Sequence, residues 1–248
     1  MKNIVSLSGG KDSTAMLLMM LERNEPIHSV MFFDTGWEFP EMLDHIDKLE
    51  KYTGIQFIRL KCKYSFTYVL NEKPTVARRG PMKGQPARAG NGWPSMFRRW
   101  CTRLKIDEIE RYLKQQENFK SCIGFATDES KRVPVKSKKK WPERYPLIEW
   151  GISEKEALKY CYDHGFYWGG LYELFGRVSC FCCPLQRIGE LRNLRTHRPE
   201  LWAKMLKMDT ENCRGFRDMK TVHDLDRRFA EEDRQPNMFP EMEEVVIK

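Results

Sequence analysis

The 248-residue sequence contains no apolar run approaching the ~20 residues that a bilayer-spanning helix needs. Its first residues, MKNIVSLSGG, carry a lysine and a short apolar stretch but no signal-peptide hydrophobic region. Internal repeats and low-complexity segments are also lacking. These absences predict a cytoplasmic protein with no membrane partner. The eight cysteines, in a reducing compartment, are then expected to be free, metal-bound or catalytic rather than disulfide-paired. What is present suits a folded domain: 41% hydrophobic and 12% aromatic residues can build a core, and the charges are mixed in sign. The net charge of +8 fits a polyanionic partner, a nucleotide or nucleic acid, and equally a soluble surface.

Apolar runs and periodicity predict strand Asn3–Leu7, a buried helix Asp12–Arg23, a strand SVMFFDTG, an amphipathic helix Pro40–Tyr52 and a strand IQFIRL. This alternation predicts an α/β fold, a Rossmann-like parallel sheet with flanking helices. Ligands of such sheets sit beyond the C-terminal strand ends, where Gly9-Gly10 and Asp34 fall. Residues 71–99, rich in Gly, Pro and Arg, read as a long irregular segment, and SKRVPVKSKKKWPER as a second basic one. Ser153 with Glu156 predicts a capping box opening a helix. The expected division is a nucleotide-binding α/β domain over 1–150 and a smaller helical, cysteine-rich region over 151–248.

The stretch VSLSGGKDSTAMLL places two glycines between a strand and a helix. Glycines there let the backbone approach an anion, and the helix's first N–H groups point toward it. Lys11 adds positive charge, while Ser8 and Ser13 add hydroxyls. A carboxylate beside phosphates is repulsive unless a cation bridges them, so Asp12 reads as a Mg²⁺-side ligand or a helix-start residue. The string is not a Walker A loop, because Val5 and Asp12 stand where that pattern wants Gly and Ser or Thr.

SGGKDS resembles the PP-loop of the adenine nucleotide α-hydrolase-like superfamily (HUP-type folds). DTGWEFPEM, WCTRLKIDEIERYL, IGFATDESKRV, YPLIEW and LYELFGRVSCFCCP extend the resemblance, in order from Ile4 to about Gln186, to the phosphoadenosine phosphosulfate reductase-like branch. The resemblance implies that Ser8, Gly9, Gly10, Lys11, Asp12 and Ser13 hold the phosphates of ATP or a related adenine nucleotide. It places Asp34 and Thr35 near the nucleotide, Lys105 at the phosphate or sulfate end, and Gly124 to Arg132 on the other side, with Arg132 an anion ligand. Lys11, Asp12 and Lys105 would be the catalytic set. Read without the family, Asp34 is a turn former and Lys105 an exposed helix residue.

Cys101, Cys180 and Cys183 form a thiolate constellation suited to an iron–sulfur cluster or to Zn²⁺. In resembling adenylylsulfate reductases, a Cys-Cys pair and a later C-x-x-C bind a 4Fe–4S cluster; here Trp100 replaces the first cysteine of the pair. The fourth ligand is Cys182 or Cys213, with Cys213 less crowded. Cys62, Cys122 and Cys161 read as small packed hydrophobes.

Reductases of this branch use a cysteine near the C-terminus, and NMFPEMEEVVIK has none. The expected activity is therefore ATP-dependent adenylation of a substrate for sulfur transfer, with Mg²⁺. The acceptor would be DNA or tRNA, and the sulfur donor a cysteine desulfurase or another carrier. Trp93, Phe97, Trp100 and Trp141, interleaved with basic charge, suit single-strand binding or, alternatively, core packing. Sulfonucleotide reduction with sulfite release is the alternative, and a non-catalytic nucleotide or redox sensor the third.

Overall fold

A computed structural model describes residues 1–77, 79–134, 140–211, 214–217 and 219–234. In chain order its elements are β1 (Lys2–Leu7), α1 (Lys11–Glu22), β2 (Ile27–Asp34), α2 (Pro40–Thr53), β3 (Phe57–Lys61), α3 (Phe66–Asn71), β4 (Pro74–Val76) and β5 (Pro86–Ala89). There follow α4 (Trp100–Leu113), β6 (Phe119–Ile123), β7 (Glu143–Arg144), α5 (Pro146–Glu149), α6 (Glu154–Asp163), α7 (Leu171–Leu174), α8 (Ile188–His197), α9 (Pro199–Thr210) and α10 (Val222–Arg234).

The chain divides into two compact units, residues 1–69 with 96–183, and residues 70–95 with 184–248. The first holds a five-stranded sheet in the order β3-β2-β1-β6-β7. All its pairings are parallel. Five successive residues of β2, Ser29 to Phe33, are buried, as a strand covered on both faces requires. Helix α1 buries eight in a row, Ser13 to Met20, so it is enclosed rather than amphipathic. One sheet face packs Ile4, Met31 and Phe119 with Leu113 of α4. The chain runs β1, β2, β3 toward one edge, and β6 then pairs with the free side of β1. That reversal makes the C-terminal ends of β1 and β6 the switch point where ligands of open α/β sheets bind. Ser153 and Glu156 form the expected capping box on α6.

The second unit carries the antiparallel β4–β5 hairpin and helices α8, α9 and α10. Its centre is Asp209, which accepts the indole N–H of Trp93 at 2.7 Å and the backbone N–H of Val222 at 2.7 Å. The hairpin was not expected in a segment read as irregular. Its strands have three and four residues, too short for a two-residue alternation to show. It is closed by Ala77 N–H to Gln85 O and Gly84 N–H to Ala77 O, with Gly80 and Gly84 at positive φ. The division also differs from the expected boundary at 150. Residues 151–183 fold with the sheet because α6 packs along α1.

Candidate functional site

The PP-loop follows β1 directly. Gly9 has φ +82°, and a Cβ there would lie 2.4 Å from the Met42 sulfur, so both backbone and space call for glycine. Gly10 is the N-cap of α1. Ser13 ties the loop together: its Oγ accepts the Ser8 N–H at 3.1 Å, donates to Gly10 O at 3.1 Å, and lies 2.9 Å from the Ser8 hydroxyl. The N–H groups of Asp12 and Ser13, in the first turn of α1, have no acceptor within the helix and face its positive end.

Lys11 Nζ lies 2.5 Å from Glu154 Oε2 and 3.5 Å from Asp12 Oδ2. Burial works against the ammonium charge, yet these carboxylates outweigh it and hold Lys11 above its usual range. Asp12 is in the opposite position. Burial pushes its carboxyl up to about 6, Lys11 opposes this, and Glu154 and Glu129 add to it. Its Oδ1 is buried and has no hydrogen-bond partner. A carboxylate oxygen of this kind is suited to a cation, and among the described residues none supplies one to that atom.

Three side chains remote in sequence brace the loop, and sequence reasoning missed them all. The Trp168 indole donates to Gly9 O at 2.7 Å. The Tyr172 hydroxyl accepts the Lys11 backbone N–H at 2.7 Å. His45 of α2 is buried, bonds Thr14 Oγ1 at 3.0 Å and stacks on Trp168 with centroids 4.3 Å apart. Trp168, Gly169 and Gly170 all have positive φ (48°, 57° and 82°), a strained turn that sets these aromatics under the loop. Two glycines after a tryptophan were the signal available in the sequence.

At the end of β2, the Asp34 carboxylate accepts the Gly36 N–H at 2.8 Å and pairs with Lys61 at 2.8 Å. Burial raises this carboxyl, but the Lys61 and Gly36 donors prevail and hold it below its usual range. Thr35 donates its N–H and hydroxyl to Glu38, which burial pushes up. The Thr35 hydroxyl also lies 3.6 Å from Cys180 Sγ. Cys180 is bridged to Glu38 as an antiparallel pair, and Phe181 N–H donates to Trp37 O. The cysteine turn is thereby fixed to the end of β2. Lys105, on α4, sets its ammonium 5.8 Å from the Phe33 ring centroid. Burial pushes the Cys180 thiol up to about 12, against a smaller opposing pull from Lys105.

The surroundings of Gly124 and Arg132 are as follows. Gly124, just past β6, packs on α1: a Cβ there would lie 2.7 Å from Ser13 Cα. Arg132 pairs with Glu129 and lies 4.5 Å over the Phe125 ring. Of the four aromatics expected beside basic charge, Phe97 is 99% exposed and is followed by exposed Arg98 and Arg99. Trp93 is buried against Asp209, Trp100 packs on Trp37 and Phe66, and Trp141 on Phe119.

Cys180 and Cys183 share one turn, with Cys183 N–H donating to Cys180 O at 3.3 Å, and Cys101 lies in the first turn of α4. Cys182 is fully buried, and Cys213 lies outside the described residues. Among the described residues no three His, Cys, Asp or Glu side chains are placed to hold one metal ion. Cys122 and Cys161 are buried as expected, and Cys62 is half-buried. Among the described residues no helix is long and apolar enough to cross a membrane.

A parallel sheet with flanking helices and a glycine-serine loop at its switch point defines an α/β protein of Rossmann-like architecture. The model of the phosphoadenosine phosphosulfate reductase domain matches residues 2–186, and the chain belongs to that family. An uncharacterized protein of Methanocaldococcus jannaschii is 27% identical over 81% of this chain, which spans 40% of that relative's length. An uncharacterized 37.8 kDa protein of Escherichia phage 186 is 40% identical over 84% of this chain and 74% of its own. Among solved structures, a phosphoadenylyl-sulfate reductase from Candida auris, in a phosphate complex, shares the fold. It has a TM-score of 0.51 at 15% identity, over 73% of this chain and 82% of that one.

Proposed function

We propose that this chain binds ATP with Mg²⁺ at the Ser8–Ser13 loop and activates a substrate for sulfur transfer by adenylating it, releasing pyrophosphate. The observation that carries the reading is the buried, unpartnered Asp12 Oδ1 beside Lys11, at the switch point of the sheet. A carboxylate there repels phosphates unless a divalent cation joins them, and a nucleoside triphosphate brings that cation with it. Asp12 would hold Mg²⁺, which draws charge from the reacting phosphate when bound. Lys11 would exchange Glu154 for a phosphate oxygen. The N–H groups of Asp12 and Ser13 would orient the chain of phosphates. Asp34 and Thr35 would flank the nucleotide, Lys105 would face the leaving or entering anion, and Gly124 and Arg132 would border the far side.

Sulfur chemistry belongs to the Cys180–Cys183 turn, supported by its attachment to the end of β2. A cluster or Zn²⁺ on Cys101, Cys180, Cys183 and Cys213 is not built from the described donors, and no step here depends on one. A nucleic-acid acceptor is supported by the exposed hairpin residues Arg79, Lys83 and Arg88.

The test is pyrophosphate release from ATP and Mg²⁺ with DNA, tRNA and a sulfide donor, on anaerobically purified protein assayed also for iron and sulfide. Release that Lys11→Ala abolishes is expected. Sulfite released from a sulfonucleotide and a thiol reductant, with no pyrophosphate from ATP, would replace this reading with the reductase one. Nucleotide binding without either product would leave a sensor.

A further inference from the structure

Tyr172 occupies a position that the loop's expected chemistry does not explain. Its hydroxyl oxygen takes up the Lys11 N–H at 2.7 Å, one of the amides that a phosphate would otherwise claim. The same oxygen lies 3.3 Å from where a Cβ on Gly10 would stand, so it sits at the mouth of α1. As an acceptor, the phenol keeps its own proton to donate, and among the described residues no acceptor for that proton is present. Burial raises the phenol's pKa further, so the proton stays on the oxygen throughout the working pH range. The ring is held from behind: Trp168 meets it edge-on with centroids 4.9 Å apart, and the Lys11 ammonium lies 5.8 Å from its centre.

We infer that the Tyr172 hydroxyl is a ligand of the nucleotide's phosphate chain, donating its proton to a phosphate oxygen while accepting from the Lys11 amide. The inference rests on the reading of the loop as a phosphate cradle. The phenol extends the reach of the Lys11 amide by one oxygen and keeps it polarised, in a short chain from N–H to O–H to phosphate. Trp168 and His45 are positioning residues. The first anchors Gly9 O and the ring edge of Tyr172, and the second anchors Thr14 and the face of Trp168. Three points of the loop, at residues 9, 11 and 14, are thereby set before any ligand arrives.

The deciding experiment is calorimetric titration of the full chain with inorganic pyrophosphate and with ATP, each with Mg²⁺, for wild type and Tyr172→Phe. Loss of one hydrogen bond to a charged oxygen predicts about tenfold weaker binding of both ligands. The thermal midpoint of the ligand-free protein should fall by no more than about 4 °C, the effect of losing the Lys11 N–H bond, because the ring and its packing remain. Unchanged or tighter binding would overturn the inference, since it would make the phenol a plug on the Lys11 amide. If Tyr172→Phe fails to fold, 3-fluorotyrosine at 172 decides instead. Its more acidic proton is expected to tighten pyrophosphate binding two- to fivefold, and unchanged or weaker affinity would refute the contact. Wild-type protein that takes up neither ligand would instead refute the phosphate cradle itself.

Discussion

Gly124→Ala probes the contact on which the geometry of the cradle rests. A Cβ at this position would lie 2.7 Å from Ser13 Cα, 2.8 Å from Ser13 N and 3.0 Å from Asp12 C. All three are backbone atoms of the first turn of α1, so no side chain can swing aside. Restoring ordinary contact at about 3.5 Å requires β6 and α1 to part by ~0.5–0.8 Å. Forcing one methyl into a packed interior costs about 1–3 kcal/mol. Alanine also stiffens the unfolded chain, which returns about 0.4–1 kcal/mol. The net expectation is a loss of about 1–2 kcal/mol in urea unfolding.

Gly54→Ala provides the comparison. Gly54 has φ +66° with nothing within 4 Å of where the alanine methyl would stand, so the substitution meets backbone strain of about 1 kcal/mol and no clash. The two variants should lose similar stability and behave differently toward pyrophosphate. Displacing the Asp12 and Ser13 amides by more than half an ångström should weaken binding at least tenfold in Gly124→Ala and leave Gly54→Ala at the wild-type value. Wild-type affinity together with wild-type stability in Gly124→Ala would show that β6 and the loop are not in tight contact.

His45 and Thr35 supply two further tests. Burial lowers the His45 pKa to about 3, so the folded protein keeps the ring neutral while the unfolded chain protonates near 6.5. The unfolded state therefore binds more protons between those values, and stability present above about pH 6.5 is lost as pH falls toward 3. His45→Gln, which can still bond Thr14, should flatten acid denaturation across that window; an unchanged profile would show that other groups set it. Thr35→Val should lower stability by about 1–3 kcal/mol, because Glu38 and the Trp37 N–H lose the hydroxyl. Thr35→Ser should recover most of this in the same urea titration, and equal losses would assign the effect to the methyl group.

The parts of the fold that were legible are those whose signal is local. The buried run of α1, the five buried residues of β2, the loop between β1 and α1 and the Ser153–Glu156 capping box all declare themselves within a dozen residues. The loop's brace does not, because Trp168 and Tyr172 meet Gly9 and Lys11 across about 160 positions. No periodicity encodes such a contact. The aromatics, read as either strand-binding or core-packed, divide for a related reason. Trp93 and Phe97 lie in the same Gly- and Arg-rich segment, yet one is buried on Asp209 and the other exposed. Composition reports that a segment has rings and charge; tertiary partners decide which rings face water.

The order of the strand ends explains why the Ser8–Ser13 loop and the cysteine turn lie in one unit. Leu7 pairs with Phe32, so the Ser8–Ser13 loop and the Asp34–Thr35 turn leave the same end of two neighbouring parallel strands. From Asp34 the chain turns through Thr35, whose hydroxyl reaches Cys180 at 3.6 Å. Lys105 lies over Phe33 and within electrostatic reach of Cys180. A phosphate held on the loop would add an anion to a region where the buried Glu38 already disfavours a thiolate at Cys180. Under the proposed function Lys105 would offset both, so that its charge would matter to the anion and the sulfur together rather than to either alone.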